Sequence, residues 1–153
     1  MLDPKPTQVS TDGLSVAILV SQYHGNVTNA LAEGAKSAFL DAGGNEEQLT
    51  TIPVSGAWEL PVVAASVLKR GDFDAIIAIG CIIAGETTHD QVIAHAIARG
   101  LMQLSIDWGK PVSMGVLSCH SLEQAQARAG GDCGNKGIEA MNAALSTVTT
   151  LSE

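Results

Sequence analysis

The sequence predicts an α/β protein of three layers, in which a central parallel sheet of four strands carries helices on both faces. Three observations support this. Residues 14–20 and 74–83 are continuous apolar runs rich in β-favouring types, the pattern of strands buried on both faces. Segments of helical period follow these runs, giving strand and helix in alternation. The 153 residues are 46% hydrophobic but only 3% aromatic, so the core consists of small aliphatic side chains that let helices lie close to a sheet.

Residues 1–12 hold Pro4 and Pro6 among polar residues without periodicity, and read as a flexible or partner-dependent arm ahead of one domain at 13–153. The first strand, 14–20, is followed from Asn26 by Val27, Ala30, Leu31, Ala35 and Ala38 at helical spacing, and Gly43-Gly44 can close that helix. A short strand over 49–54 leads into Ser55-Gly56-Ala57-Trp58-Glu59-Leu60-Pro61. Proline is tolerated only in a helix's first turn, so the second helix starts close to Ala57. The strand at 74–83 runs into Ala84-Gly85-Glu86-Thr87-Thr88-His89-Asp90-Gln91, where Thr88 and Gln91 fit a capping box and a helix starts at His89. Residues 111–117 form the last strand. A short helical stretch from Ser121 to Arg128, a glycine-rich break and a final helix complete the chain. In such sheets ligands bind outside the carboxyl ends of the strands.

The net charge of −8 offers no long-range attraction for nucleic acid or an anionic membrane. Cys81, Cys119 and Cys133 form no C-x-x-C pair and no disulfide framework, which fits a reducing compartment. The longest apolar run, 75–85, falls short of the roughly 18 residues of a membrane span. Asp3, Pro4 and Pro6 stand where a secretion signal has its apolar stretch. A cytoplasmic protein is expected. His24, His95 and His120 form no i, i+4 pair with His89, so no metal site is expected.

Several segments can carry chemistry. The free amides at the start of the His89 helix, with Thr87 and Thr88 beside them, suit an anion such as phosphate, although an ordinary strand-to-helix turn has the same residues. His89 shares a helical stripe with Val92, Ile93, Ala96, Ile97, Leu101 and Leu104, which puts it at the mouth of the core side. An imidazole there can exchange protons near neutral pH, or serve only structure. Tyr23 and His24 follow the first strand at the same edge, where an aromatic ring can stack on a planar heterocycle or merely pack on the surface. Gly56 and Ala57 let the backbone approach a ligand, and Glu59 can accept hydrogen bonds from hydroxyls or simply suit the helix dipole. Arg128 and Lys136, the only cations after Lys110, can bind phosphate or be ordinary surface charges.

In their order and spacing these segments resemble the 6,7-dimethyl-8-ribityllumazine synthase family, from about Leu14 to the last helix. The resemblance rests on Gly56-Ala57-Trp58-Glu59-Leu60-Pro61, on Gly80-Cys81-Ile82-Ile83 with Gly85-Glu86-Thr87-Thr88-His89, and on Glu123-Gln124-Ala125, Arg128-Ala129-Gly130 and Gly134-Asn135-Lys136-Gly137. It implies a flavodoxin-like three-layer sandwich whose subunits form homopentamers, in many members packed into an icosahedral capsid, with the active site between neighbours. By family pattern Tyr23 stacks on the uracil ring, Ala57, Trp58 and Glu59 surround the ribityl chain, and Ile82 and Ile83 flank the pyrimidine. Gly85, Glu86 and Thr87 match the phosphate loop, His89 the proton-transfer residue, and Arg128 the phosphate-binding cation of the adjacent subunit. Met114 and Lys136 match positions lining the same pocket.

The implied reaction uses no cofactor. 5-Amino-6-(D-ribitylamino)uracil condenses with 3,4-dihydroxy-2-butanone 4-phosphate to give 6,7-dimethyl-8-ribityllumazine in riboflavin biosynthesis. The chain departs from the common pattern at five positions: Tyr23 replaces Phe or Trp, His24 replaces Asn, Met114 replaces Phe, Ala84 replaces Arg and Asp132 replaces Lys. The last two lower the positive charge near the phosphate region. Two other functions fit the same framework, a flavin- or lumazine-binding shell protein without turnover and a pentameric riboflavin synthase. The short connection between Arg128 and Asn135 resembles that of shell-forming members, so a sixty-subunit particle is expected.

Overall fold

Strand β1 (Val16–Ser21) is buried at all six positions, as the first apolar run requires, and each Val, Leu or Ile so enclosed stabilises the fold by about 1.5–3 kcal/mol. In the computed structural model, which describes residues 9–153, the chain continues through α1 (Gly25–Asp41), β2 (Leu49–Val54), α2 (Leu60–Arg70), β3 (Ala75–Ile83), α3 (His89–Trp108) and β4 (Val112–Cys119). It ends in α4 (Leu122–Ala127), β5 (Ala129–Gly131), β6 (Gly134–Asn135) and α5 (Lys136–Leu151). Residues 1–8, most of the expected arm, lie outside the described residues. Residues 9–12 are held against the domain: Val9 packs on the core, Thr11 is buried, and the Gln48 side chain donates to the Thr11 carbonyl at 2.7 Å.

The main sheet has the order β2-β1-β3-β4 with every pair parallel. Pro53, which cannot donate to a ladder, sits in the edge strand β2. Alternation along the strands divides the core in two. Val16, Ile18 and Val20 with Ile77, Ile79 and Cys81 meet α1 and α5, while Ala17 and Leu19 with Ile76, Ala78 and Ile82 meet α2 and α3. The predicted sandwich is thus observed, with helices on both sides of a four-stranded parallel sheet.

Four local expectations are corrected. Thr88 precedes α3 without a side-chain cap; the Thr87 hydroxyl instead accepts from the His89 amide at 3.3 Å, so no capping box forms. The stripe assigned to α3 narrows to Ile97 and Leu101, with Ile93 and Leu104 half-buried, while Val92, Ala96 and His89 are exposed. His89 lies about 80° round the helix from Ile97 at 100° per residue, which puts it at the edge of the buried face. The segment Ala57–Glu59 is a separate 3-10 turn ahead of α2. The glycine-rich break is ordered as the antiparallel pair β5–β6.

Candidate active site

The sheet order reverses between β1 and β3: the chain leaves β1 for β2 on one side and returns to add β3 and β4 on the other. A crevice at the carboxyl ends of such neighbouring strands is where open α/β sheets bind ligands. Tyr23 follows β1 there, and Ile82, Ile83 and the loop to His89 follow β3.

His24 adopts left-handed backbone angles, φ 58° and ψ 47°, which histidine tolerates better than most side chains. This bend ends β1 and starts α1, whose first amides at Val27 and Thr28 donate to the His24 carbonyl. The Thr28 hydroxyl donates to the Ser21 carbonyl at 2.6 Å, tying the helix back to the strand. Tyr23 is thereby pushed outward, 69% exposed, with its ring edge-on to the His24 imidazole at 4.6 Å between centroids.

Gly80 brings a second segment to the same edge. A Cβ there would lie 3.2 Å from Leu60 Cδ1 and 3.3 Å from the Ala57 Cβ, so its absence lets the Ala57–Glu59 turn settle on β3 two residues before Ile82. Within the turn, the Ser55 hydroxyl donates to Glu59 Oε1 at 3.0 Å, and Gly56 leaves room for that carboxylate. Trp58 is 58% exposed at the rim, beside an apolar groove of about 390 Å³ lined with Pro61, Val62, Ala96 and Ile97. Ile82 is buried and Ile83 half-buried, which makes the floor apolar. Below it the Cys81 thiol is pushed by burial, with Cys119 adding to the effect, from 9.0 up to about 11, so it stays neutral. Among the described residues Ser21 Oγ is the one buried side-chain nitrogen or oxygen atom without a hydrogen-bond partner.

Gly85, Glu86, Thr87 and His89 form an exposed loop and helix start, and nothing lies within 4 Å of where a Gly85 Cβ would be. At the start of α3 the His89 amide is taken by the Thr87 hydroxyl and those of Gln91 and Val92 by the Thr88 carbonyl, which leaves the Asp90 amide, with the positive end of the helix dipole, for an anion.

The remaining expected residues lie elsewhere in the chain. Met114, 41% exposed, pairs with Ala78 in the register, four residues before the level at which Ser118 and Cys119 meet Ile82 and Ile83. Arg128 closes α4 and its guanidinium donates to the Gln124 carbonyl of the same helix at 3.0 Å. Lys136 opens α5, and its amide donates to the Arg128 carbonyl at 2.9 Å, so the two cations flank the β5–β6 hairpin. Among the described residues no hydrogen bond or ion pair joins either cation to Gly85, Glu86, Thr87 or His89. One protomer therefore gathers Tyr23, Ala57, Trp58, Glu59, Ile82, Ile83, Gly85, Glu86, Thr87 and His89 at one edge. Among the described residues the side chains of Met114, Arg128 and Lys136 make no hydrogen bond or ion pair with any of them.

The sequence profile of 6,7-dimethyl-8-ribityllumazine synthase matches residues 13–152, nearly the whole domain. The chain belongs to this family. Proteins named 6,7-dimethyl-8-ribityllumazine synthase are among its relatives. That of Gemmatimonas aurantiaca is 43% identical over 134 residues, 88% of this chain and 82% of the relative. That of Aquifex aeolicus is 40% identical over 138 residues, 90% of each chain, and that of Thermus thermophilus is 41% identical over 143 residues, 94% and 91%. No described helix is long and apolar enough to cross a membrane.

Proposed function

We propose that the chain catalyses formation of 6,7-dimethyl-8-ribityllumazine from 5-amino-6-(D-ribitylamino)uracil and 3,4-dihydroxy-2-butanone 4-phosphate, as a cytoplasmic homo-oligomer built from pentamers. The observation that carries this reading is the convergence of an exposed aromatic ring, a tight turn with a fixed carboxylate, and the exposed start of α3 at the sheet's switch point. Tyr23 stacks on the uracil ring. Ile82 and Ile83 flank the pyrimidine, while Ala57 and Trp58 line the ribityl chain and Glu59 accepts hydrogen bonds from its hydroxyls.

The phosphate rests on the amides of Gly85, Glu86, Thr87 and the start of α3, completed by Arg128 and Lys136 of an adjacent protomer, with Met114 on the facing wall. Lys136 opposes the dipole of α5 by opening that helix, a placement that costs about 0.3–1 kcal/mol and is offset where an anion binds. A composite site agrees with the lack of any hydrogen bond or ion pair between the described cations Arg128 and Lys136 and the loop within one chain. It agrees also with the apolar side chains Trp58, Val62, Val92, Met102 and Ile106 left exposed on the α2 and α3 side, a surface that suits a subunit contact.

In the reaction the 5-amino group attacks the ketone and water leaves to form an imine. Phosphate is then eliminated, and after tautomerisation the ribitylamino nitrogen closes the second ring with loss of a second water. Holding the two substrates in reacting geometry supplies much of the acceleration. His89 moves protons to and from the nitrogen and oxygen atoms, while the amides and Arg128 stabilise the departing phosphate. The test is to mix the purified protein with both substrates and follow lumazine absorbance and fluorescence. Product and phosphate appearing together support the assignment; no product, or riboflavin formed from lumazine alone, overturns it.

A further inference from the structure

Asn135 directly precedes Lys136, and its side chain hydrogen-bonds to neither cation's side chain. Its Nδ2 donates to the Ala30 carbonyl on α1 at 3.1 Å, a contact spanning 105 residues, while its Oδ1 accepts from the amides of Gly137 at 2.8 Å and Ile138 at 3.2 Å. One side chain thus caps α5 and fastens it to α1. Two glycines make room for it: a Cβ on Gly34 would collide with the Asn135 carboxamide, and one on Gly137 would collide with the Leu31 carbonyl. Asn135 also pairs with Ala129 across the hairpin, next to the bond from the Lys136 amide to the Arg128 carbonyl. Beside the packing of Ala125 and Ala129 on the core, the backbone bearing both cations is thus tied to α1 by a carboxamide whose donor and acceptor atoms are all engaged.

We propose that Asn135 is a positioning residue for anion binding: by locking the hairpin to α1 it fixes the origins of the Arg128 and Lys136 side chains. The inference rests on the reading that those cations bind phosphate. Arg128 is exposed and its guanidinium is held only to its own helix, so its aim depends on where α4 and the hairpin are pinned. Freed from Ala30, the hairpin would wander by more than the tolerance of a bidentate contact.

The experiment measures the dissociation constant for inorganic phosphate and KM for each substrate. It compares the parent oligomer, Asn135→Ala, Arg128→Ala and the double variant. Asn135→Ala is expected to weaken phosphate binding and raise KM for the phosphate substrate about fivefold, the order expected from a lost orienting hydrogen bond, with KM for the pyrimidine within twofold. In the Arg128→Ala background the same change should have a clearly smaller effect, because one of the two cations it positions is gone. If Arg128→Ala alone leaves phosphate binding unchanged, the reading of Arg128 falls. If it weakens binding while Asn135→Ala does not, or if Asn135→Ala acts equally in both backgrounds, the positioning role falls. Should Asn135→Ala not fold, Asn135→Ser keeps a neutral oxygen able to cap α5, adds no charge beside Lys136 and loses the bond to Ala30. A smaller rise in the phosphate constants is then expected, and unchanged constants overturn the proposal.

Discussion

Replacing Arg128 with alanine separates function from stability. The guanidinium is exposed and its one hydrogen bond is to the Gln124 carbonyl of its own helix, so its removal costs the fold about 0.5 kcal/mol or less. For a chain of this size that is about 1–2 °C in thermal midpoint. A bidentate, charge-assisted contact to phosphate is worth about 1.5–3 kcal/mol, which at 1.4 kcal/mol per decade is roughly 10- to 150-fold. Lys136 is the only other cation on the hairpin and offers no second fork, so little of that loss is buffered. Steady-state lumazine formation with the phosphate substrate varied is expected to show kcat/KM falling by that factor, with a thermal midpoint nearly unchanged. The parent's KM should also rise with ionic strength more steeply than the variant's. A kcat/KM within twofold of the parent, or a loss matched by a large fall in midpoint, would refute the assignment of Arg128 to the phosphate.

Ser21→Ala removes a buried hydroxyl that has no partner, and is expected to raise stability by about 1 kcal/mol in denaturant titrations; a loss of stability would mean that the hydroxyl is satisfied in the assembly. The Cys81 thiol is raised from 9.0 to about 11, so the fold prefers its neutral form. That contribution is complete below about pH 9 and is lost as pH climbs toward 11, and thermal midpoints across this window should fall less in Cys81→Ala than in the parent. Equal falls would contradict the burial argument.

Much of the fold was legible because burial on both faces leaves a one-dimensional trace. Residues 16–20 and 75–83 are aliphatic apart from one Gly and one Cys, without polar interruption, and the spacing from Val27 to Ala38 marks α1 to within three residues. Misreadings arose where a competing local bond or a distant contact decides. Thr88 and Gln91 fit a capping pattern, yet the Thr87 hydroxyl takes the His89 amide. The apolar face of α3 reads as core although much of it points away from its own protomer's sheet. Residues of the site that lie at strand ends, such as Tyr23, Ile83 and His89, follow from topology. Asn135 did not stand out, although an asparagine just before a helix is a capping signal, because its bond to Ala30 crosses 105 residues. Ser55, which fixes the Glu59 carboxylate, left no motif that would single it out.

The central claim is a catalytic cleft to which one protomer brings His89 and its neighbour brings Arg128. His89→Ala and Arg128→Ala protomers, each of low activity alone, can be dissociated, mixed in equal amounts and reassembled, and lumazine formation measured. With the two residues drawn from different protomers, about a quarter of the sites regain both, and the mixture should recover roughly that share of parent activity. A mixture no more active than the average of its components would place both residues in the same protomer and contradict the account.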